Sequence, residues 1–343
     1  MLLIFVSFNL CSIQSAHSKN TGFFELLAQR PQVIDHRKPT SNRTPAPPPR
    51  ASSPVKGDKD KDGISDSLEI TLANKFAPVL KLPPSHIDWT RPANVDWYLK
   101  RVQLRFENKG ACNIDDKIFN VGQVTQSNLA QQSRKDKSVG LSGCKNRGTR
   151  RYSNASTRFF LQPADKYHKG APQSEWKAYV HVKKSQAVRR GYDIQYWFFY
   201  AYNDSFGSFN HEGDWEHITV SVNSKLQFVE AVYAQHEYST RYKKNKLTFI
   251  NKTHPVVYVA DGSHASYAWA GDIRIKKTPV NDHTYNNGPI WHTSKSLIHV
   301  GEKKYPLNGQ HFIQYGGRWG EVGETKHTSG PTGPAFKPEW NGR

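Results

Sequence analysis

Residues 191–200 decide the fold, and they read GYDIQYWFFY. Three further short segments have the same character: ITVSV at 218–222, FVEAVY at 228–233 and PVVYVA at 255–260. All four are rich in β-branched and aromatic residues, which fit the pleated surface of a sheet. Turn residues such as Asn223, Asn251 and Gly262 bound them. Regular short strands with these boundaries predict an all-β chain that forms an antiparallel β-sandwich with long loops.

One segment departs from this pattern. Leu68, Leu72 and Phe76 recur at a spacing of four residues, which is the period of one helix face. The sequence therefore predicts a short helix over 66–76, ahead of the sandwich.

The chain is strongly basic. Its 343 residues carry a formal net charge of +19, which favours attraction to anionic surfaces. The Lys and Arg residues are scattered along the sequence, and it contains no nucleic-acid recognition motif, so no specific nucleic-acid partner is expected. The oligomeric state is left open.

Four regions follow one another along the chain. Residues 1–18 have the apolar core of a secretory signal peptide, although an apolar N-terminal strand is the alternative. Residues 19–56 form a Pro-rich disordered linker, 57–76 a calcium-binding loop and helix, and 77–343 the β-sandwich domain. Export would make the protein secreted or periplasmic. In that setting Cys112 and Cys144 are expected to form a disulfide, with two free thiols as the alternative.

The loop at residues 58–69 has the spacing of a twelve-residue calcium site. It reads DKDKDGISDSLE, with acidic residues at positions 1, 3, 5, 9 and 12 and Gly63 at the sharp turn. Calcium is the expected cofactor of this loop, and an acidic turn in a basic chain is the alternative. The expected ligands are Asp58, Asp60, Asp62, Asp66 and Glu69.

A second reactive segment, NHEGDWEH, covers residues 210–217. On an extended chain Asp214 and Glu216 share one face, and His211 could reach the same point from the preceding turn. These groups predict a second divalent cation: Ca²⁺, Mg²⁺ or Mn²⁺ for the oxygen-rich set, or Zn²⁺ if His217, His236 or His264 joins it. The alternative is a hydrogen-bonded polar cluster that pins a loop.

The order of several segments resembles the vacuolar-protein-sorting-62-related family. The likeness covers roughly residues 70–341 and implies little about biochemistry. Its segments are LANKFAPVL at 72–80, YWFFYAYN at 196–203, HEGDWEHITV at 211–220, PVVYVADGSHASY at 255–267 and GRWG at 317–320.

A more distant likeness is to the necrosis-inducing cytolysins of plant pathogens. Their heptapeptide, Gly-His-Arg-His-Asp-Trp-Glu, is similar to residues 210–216 at the first His and at the Asp, Trp and Glu. The resemblance implies that Asp204, His211, Asp214 and Glu216 hold a divalent cation on the rim of a β-sandwich. It also implies ligand-binding roles for His236 and His264. Gly213 departs from the heptapeptide, because it stands where the second His is expected.

Three functions remain in competition. The leading hypothesis is binding of an anionic or glycan-bearing surface, including a membrane lipid headgroup, at the metal rim. The second is a metal-dependent hydrolase with Glu212 or His217 as general base. The third is a trafficking or scaffold protein without catalytic activity.

Overall fold

A computed structural model describes residues 54–107, 115–132, 138–140, 149–151, 158–205 and 209–342. The expected signal peptide, nearly all of the expected linker and the expected Cys112–Cys144 disulfide lie outside these residues. Residues 53–343 form one compact unit, so the 58–69 loop and the strands belong to the same body.

The structure confirms the all-β class. The helices are α1 (Asp66–Phe76), α2 (Val95–Leu99) and α3 (Gln126–Gln131). The strands are β1 (Val79–Lys81), β2 (Pro92–Ala93), β3 (Val102–Phe106), β4 (Asp116–Phe119), β5 (Ser138–Gly140), β6 (Thr149–Arg151), β7 (Phe159–Pro163), β8 (Ala178–Lys184), β9 (Tyr192–Asn203), β10 (His211–Val222), β11 (Phe228–Gln235), β12 (Tyr238–Lys243), β13 (Phe249–Ile250), β14 (His254–Val259), β15 (Ser266–Tyr267), β16 (Gly271–Arg274), β17 (Asn281–Thr284), β18 (Ile290–His292), β19 (Leu297–His299), β20 (Gly301–Glu302) and β21 (Tyr305–Pro306).

Two larger sheets carry the fold. One has the order β12-β11-β10-β9-β8-β19, with β2 also paired to β9, and the other has the order β13-β14-β1-β18, with β15 paired to β14. Tyr233 of β11 donates a hydrogen bond to the Val256 carbonyl of β14 at 2.9 Å, which joins the two sheets. Two pairs, β1–β14 and β8–β19, are parallel, so the expected antiparallel pattern holds only for the remaining pairs.

The central strand β9 explains the aromatic run that decided the fold. It pairs with β8 on one side and β10 on the other, and its residues from Asp193 to Ala201 are all buried. A strand covered on both faces needs no polar face, so it reads as a continuous apolar run. The core around it is aromatic: the Trp215 and Trp319 rings meet edge to face at 5.1 Å, and Trp215 stacks on Phe312 at 5.5 Å.

The expected helix is present, and two shorter helices accompany it. α1 begins after Ser65, whose side chain accepts a hydrogen bond from Leu68 N. α2 and α3 were not predicted, because five and six residues are too few to show a helical period. Their caps, Asn94 and Thr125, are the local signals that mark them. Among the described residues no helix is both long and apolar enough to span a bilayer.

Candidate ligand-binding site

Asp214 and His264 form the buried centre of the candidate site. Asp214 lies on β10 opposite Tyr200 of β9, and its Oδ2 is 2.9 Å from His264 Nδ1. The His264 ring is 1% exposed and stacks on the Tyr200 ring at 3.7 Å. Burial alone would raise the pKa of Asp214, but the hydrogen bond and the charge of His264 outweigh it, so this pKa is lowered. Asp214 is therefore held as a carboxylate inside the protein.

The second ring nitrogen of His264 extends this centre to the loop before β2. His264 Nε2 lies 2.7 Å from Thr90 Oγ1, and the Thr90 hydroxyl donates to Asp88. Since a hydroxyl has one proton, Thr90 must accept from His264 in this arrangement. His264 thus has a hydrogen-bond partner at each ring nitrogen, Asp214 at Nδ1 and Thr90 at Nε2, and neither nitrogen is left to ligate a metal.

Asp204 and His211 point to different partners. Asp204 accepts hydrogen bonds from Trp89 Nε1 at 2.6 Å and from Asn210 Nδ2 at 3.2 Å. His211 Nδ1 is 2.9 Å from the Gly213 carbonyl, so this nitrogen carries the proton and Nε2 keeps its lone pair. Burial lowers the pKa of His211, which favours the neutral ring.

Glu216 lies two residues beyond Asp214 on the same face of β10. Burial and the adjacent Asp214 carboxylate raise the pKa of Glu216 well above its ordinary value. Among the residues the structure describes, no three of Asp204, His211, Asp214 and Glu216 have ligand atoms within 4.8 Å of one another. A cation at this set would require a side chain to rotate.

The two candidate general bases, Glu212 and His217, both contact other side chains. Glu212 lies 3.4 Å from His168 and accepts from the Glu321 N–H at 3.0 Å. His217 stacks on the Trp197 ring at 4.2 Å, and burial lowers its pKa to about 3. A base with so low a pKa accepts a proton poorly near neutral pH.

His236 belongs to a separate hydrogen-bond network around the buried Asp282. Asp282 Oδ2 accepts from Tyr267 Oη at 2.6 Å and lies 2.7 Å from His236 Nε2, while its Oδ1 accepts from Ser263 Oγ at 2.9 Å. Burial would raise the pKa of Asp282, but these partners lower it. Asp282 lies in β17 and is buried.

A cavity of about 590 Å³ opens beside these groups. Four carboxylates line it, together with Trp89, which is 46% exposed, and Ile87, which is 44% exposed. Trp89 packs against Tyr202 with ring centroids 6.0 Å apart. Of the lining aspartates only Asp204 was predicted from the sequence, because the others are scattered along the chain. The four are Asp88, Asp204, Asp261 and Asp282.

The acidic loop lies apart from this cavity in sequence and shares no residue with its lining. Two groups of carboxylates in it have ligand atoms within 4.8 Å of one another, and all five predicted ligands belong to these groups. They are the groups Asp58, Asp60 and Asp62, and Asp60, Asp66 and Glu69.

A family model for vacuolar protein sorting-associated protein 62 matches residues 70–320. The chain belongs to this family. It is also similar to TDA6 of Saccharomyces cerevisiae, a protein named for vacuolar protein sorting, with 26% identity over 202 residues. That alignment covers 42% of this chain and 41% of the yeast protein, so the match spans less than half of the relative's length.

Solved structures of necrosis-inducing proteins are also similar to this family member. NLPPya in complex with mannosamine is 12% identical, with a TM-score of 0.32 over 71% of this chain and 78% of that chain. Necrosis and Ethylene inducing Protein 2, from the causal agent of cocoa's Witches Broom disease, is 15% identical, with a TM-score of 0.33 over 76% and 88%.

The family segment at 317–320 explains why Gly213 departs from the heptapeptide. Gly213 has φ +63, and a Cβ built on it would lie 2.1 Å from the Trp319 carbonyl oxygen. A histidine cannot occupy this position while Trp319 packs against β10.

Proposed function

We propose that this protein binds a glycan in the cavity around Trp89. The observation that carries the proposal is the combination of a half-exposed indole with four carboxylates at one opening. A volume of about 590 Å³ lies within the usual range of small-molecule sites. Sugars suit such a lining, since their C–H faces pack on aromatic rings and their hydroxyls donate to carboxylates.

Trp89 is held ready for a ligand. Its Nε1–H donates to Asp204 at 2.6 Å, and its ring is supported by Tyr202. Fixing a binding group before the ligand arrives reduces the entropy lost on binding. Trp89 and Asp204 therefore act together, the first as the platform and the second as its support.

The charge of the cavity selects the class of ligand. Four aspartates and one histidine, His283, line the cavity, so acidic groups outnumber basic ones there and disfavour sulfate, phosphate or a lipid phosphate. The formal net charge of +19 acts at longer range and draws the protein toward anionic surfaces. The favoured ligand is thus a neutral or amine-bearing glycan displayed on such a surface.

The second divalent cation expected from the sequence is part of the proposal. His211 offers a neutral Nε2 whose orientation is fixed through Nδ1, which is how metal-ligating histidines are usually held. Asp214 and Glu216 add two adjacent carboxylates whose repulsion a cation would relieve. These three residues would hold the ion, and Asp204 would connect it to the cavity.

A glycan array with labelled full-length protein tests the proposal. Wild type is expected to bind neutral or amino-sugar glycans, and Trp89→Ala to lose that signal. Trp269→Ala is the matched control, because Trp269 is 48% exposed but does not line the cavity. Equal binding by wild type and Trp89→Ala, or a preference for sulfated glycans, would contradict it.

A further inference from the structure

The loop at residues 58–69 gathers carboxylates that the fold leaves without partners. Asp60 is 1% exposed and Glu69 is 3% exposed. Among the described residues, both carboxylate oxygens of Asp60, Oε2 of Glu69 and Oδ2 of Asp62 have no hydrogen-bond partner. Burying a carboxylate without a partner is costly, so these oxygens point to a missing cation.

The repulsion within the loop is large. The ligand atoms of Asp60, Asp66 and Glu69 lie within 4.8 Å of one another, and those of Asp58, Asp60 and Asp62 do so as well. Glu302 of β20 adds negative charge from outside the loop, although its carboxylate lies 2.8 Å from His181 Nε2. Among the described residues, no cationic side chain contacts the Asp60 or Glu69 carboxylate, and a bound cation would offset their negative charge.

The backbone of the loop directs the remaining oxygens inward. Lys61 N and Gly63 N donate to the two oxygens of Asp58 at 2.7 and 2.9 Å. Ile64 N donates to Asp62 Oδ1 at 2.6 Å, which leaves Asp62 Oδ2 for a ligand. Gly63 has φ +85, a conformation that glycine adopts without strain and that turns the chain back on itself.

We propose that this loop binds one Ca²⁺ and that the ion fixes α1 against the central sheet. The donors are all oxygens and most are charged, which suits Ca²⁺, whereas Zn²⁺ prefers His and Cys. Mg²⁺ usually keeps several waters and uses one or two carboxylates, so a five-carboxylate loop suits it less. The ligands are Asp58, Asp60, Asp62, Asp66 and Glu69.

The ion would act on the fold through Glu69. This residue lies in α1, one turn before Ala73, whose carbonyl accepts a hydrogen bond from Tyr196 Oη of β9 at 2.8 Å. Leu72 and Phe76 of α1 are buried in the main core. Releasing the ion would free the start of α1 and weaken its packing on β9. This role is independent of the glycan cavity.

Calorimetric titration of Ca²⁺ into chelator-treated full-length protein tests the site. Wild type is expected to bind one ion in the loop, and Asp60→Asn and Glu69→Gln to lower the affinity at least about tenfold, because each removes a ligand charge. Asp165→Asn and Glu324→Gln are matched controls with exposed carboxylates. Unchanged affinity in Asp60→Asn and Glu69→Gln, or no Ca²⁺ uptake by wild type, would overturn the proposal.

Thermal unfolding separates a lost ligand from a damaged fold. With Ca²⁺, Asp60→Asn should unfold at a lower temperature than wild type. In chelator, Asp60→Asn should unfold at the same temperature as wild type or at a higher one, since the variant removes a buried, unpaired charge. A variant that is less stable than wild type by the same amount in both conditions would show that Asp60 has a structural role, and this result would also overturn the proposal.

Discussion

His264 Nδ1 lies 2.9 Å from Asp214 Oδ2, and both side chains are buried. We expect His264→Ala to lower the free energy of unfolding by about 3 kcal/mol or more, because it leaves the Asp214 carboxylate buried and unpaired. Urea denaturation measures this change. His86→Ala removes an exposed histidine and is the control; equal effects of the two substitutions would contradict a stabilising role for the pair.

The contact between Gly213 and Trp319 gives a second prediction. Gly213→Ala should cost about 3–4 kcal/mol, since it combines a left-handed backbone with a clash against the Trp319 carbonyl. Gly122→Ala should cost only about 1 kcal/mol, because Gly122 also has a positive φ but nothing lies within 4 Å of its Cβ position. If both variants unfold at the same urea concentration, Gly213 does not pack closely against the Trp319 carbonyl.

Glu230 gives a pH-dependent prediction. It is buried on β11 and pairs with Arg241 and Lys243 of β12. Burial would raise its pKa, but the hydrogen bonds from Lys243 and Arg241 outweigh it, so the pKa is lowered from 4.5. The stabilisation is therefore complete above pH 4.5 and is lost as the pH falls through the lowered pKa.

The variant Glu230→Gln measures this contribution. Both cations are more than half exposed and screened by water, so we expect a loss of only about 1 kcal/mol at neutral pH. The difference between wild type and variant should shrink below pH 4.5. A difference that stays constant down to acidic pH would mean that the ion pair does not stabilise the fold.

Metal content per chain tests the second cation. Elemental analysis of wild type should give two divalent ions, and His211→Ala/Glu216→Ala should give one, because the 58–69 loop keeps its ion. Glu69→Gln should lose the other ion instead. If the double variant holds as many ions as wild type, the residues around Asp214 form a polar cluster and do not bind a metal.

The strands were predictable because each carries its own pattern. The aromatic run of β9 and the β-branched segments of β10, β11 and β14 report burial on one or two faces, which is a local property. The helix α1 was predictable for the same reason. The parallel pairing of β1 with β14 was not, since it joins residues 79–81 to 256–258 and no local signal encodes it.

The candidate site was predictable only where its residues are adjacent in sequence. Asp214 and Glu216 were named as candidates because they are neighbours on one extended segment, and His264 was named through the resemblance to the cytolysins. Asp88, Asp261 and Asp282 were missed, because three separate loops and strands bring them to one cavity. Trp89 was missed because the sequence does not distinguish an exposed tryptophan from a core one.

The most direct test of the proposed function is a calorimetric titration of a neutral or amino-sugar glycan identified on the array. The glycan is titrated into wild type, Trp89→Ala and Trp269→Ala. We predict that wild type and Trp269→Ala bind with the same affinity and that Trp89→Ala binds at least about tenfold more weakly, which corresponds to 1.4 kcal/mol. Equal affinity in all three proteins would contradict binding in the cavity around Trp89.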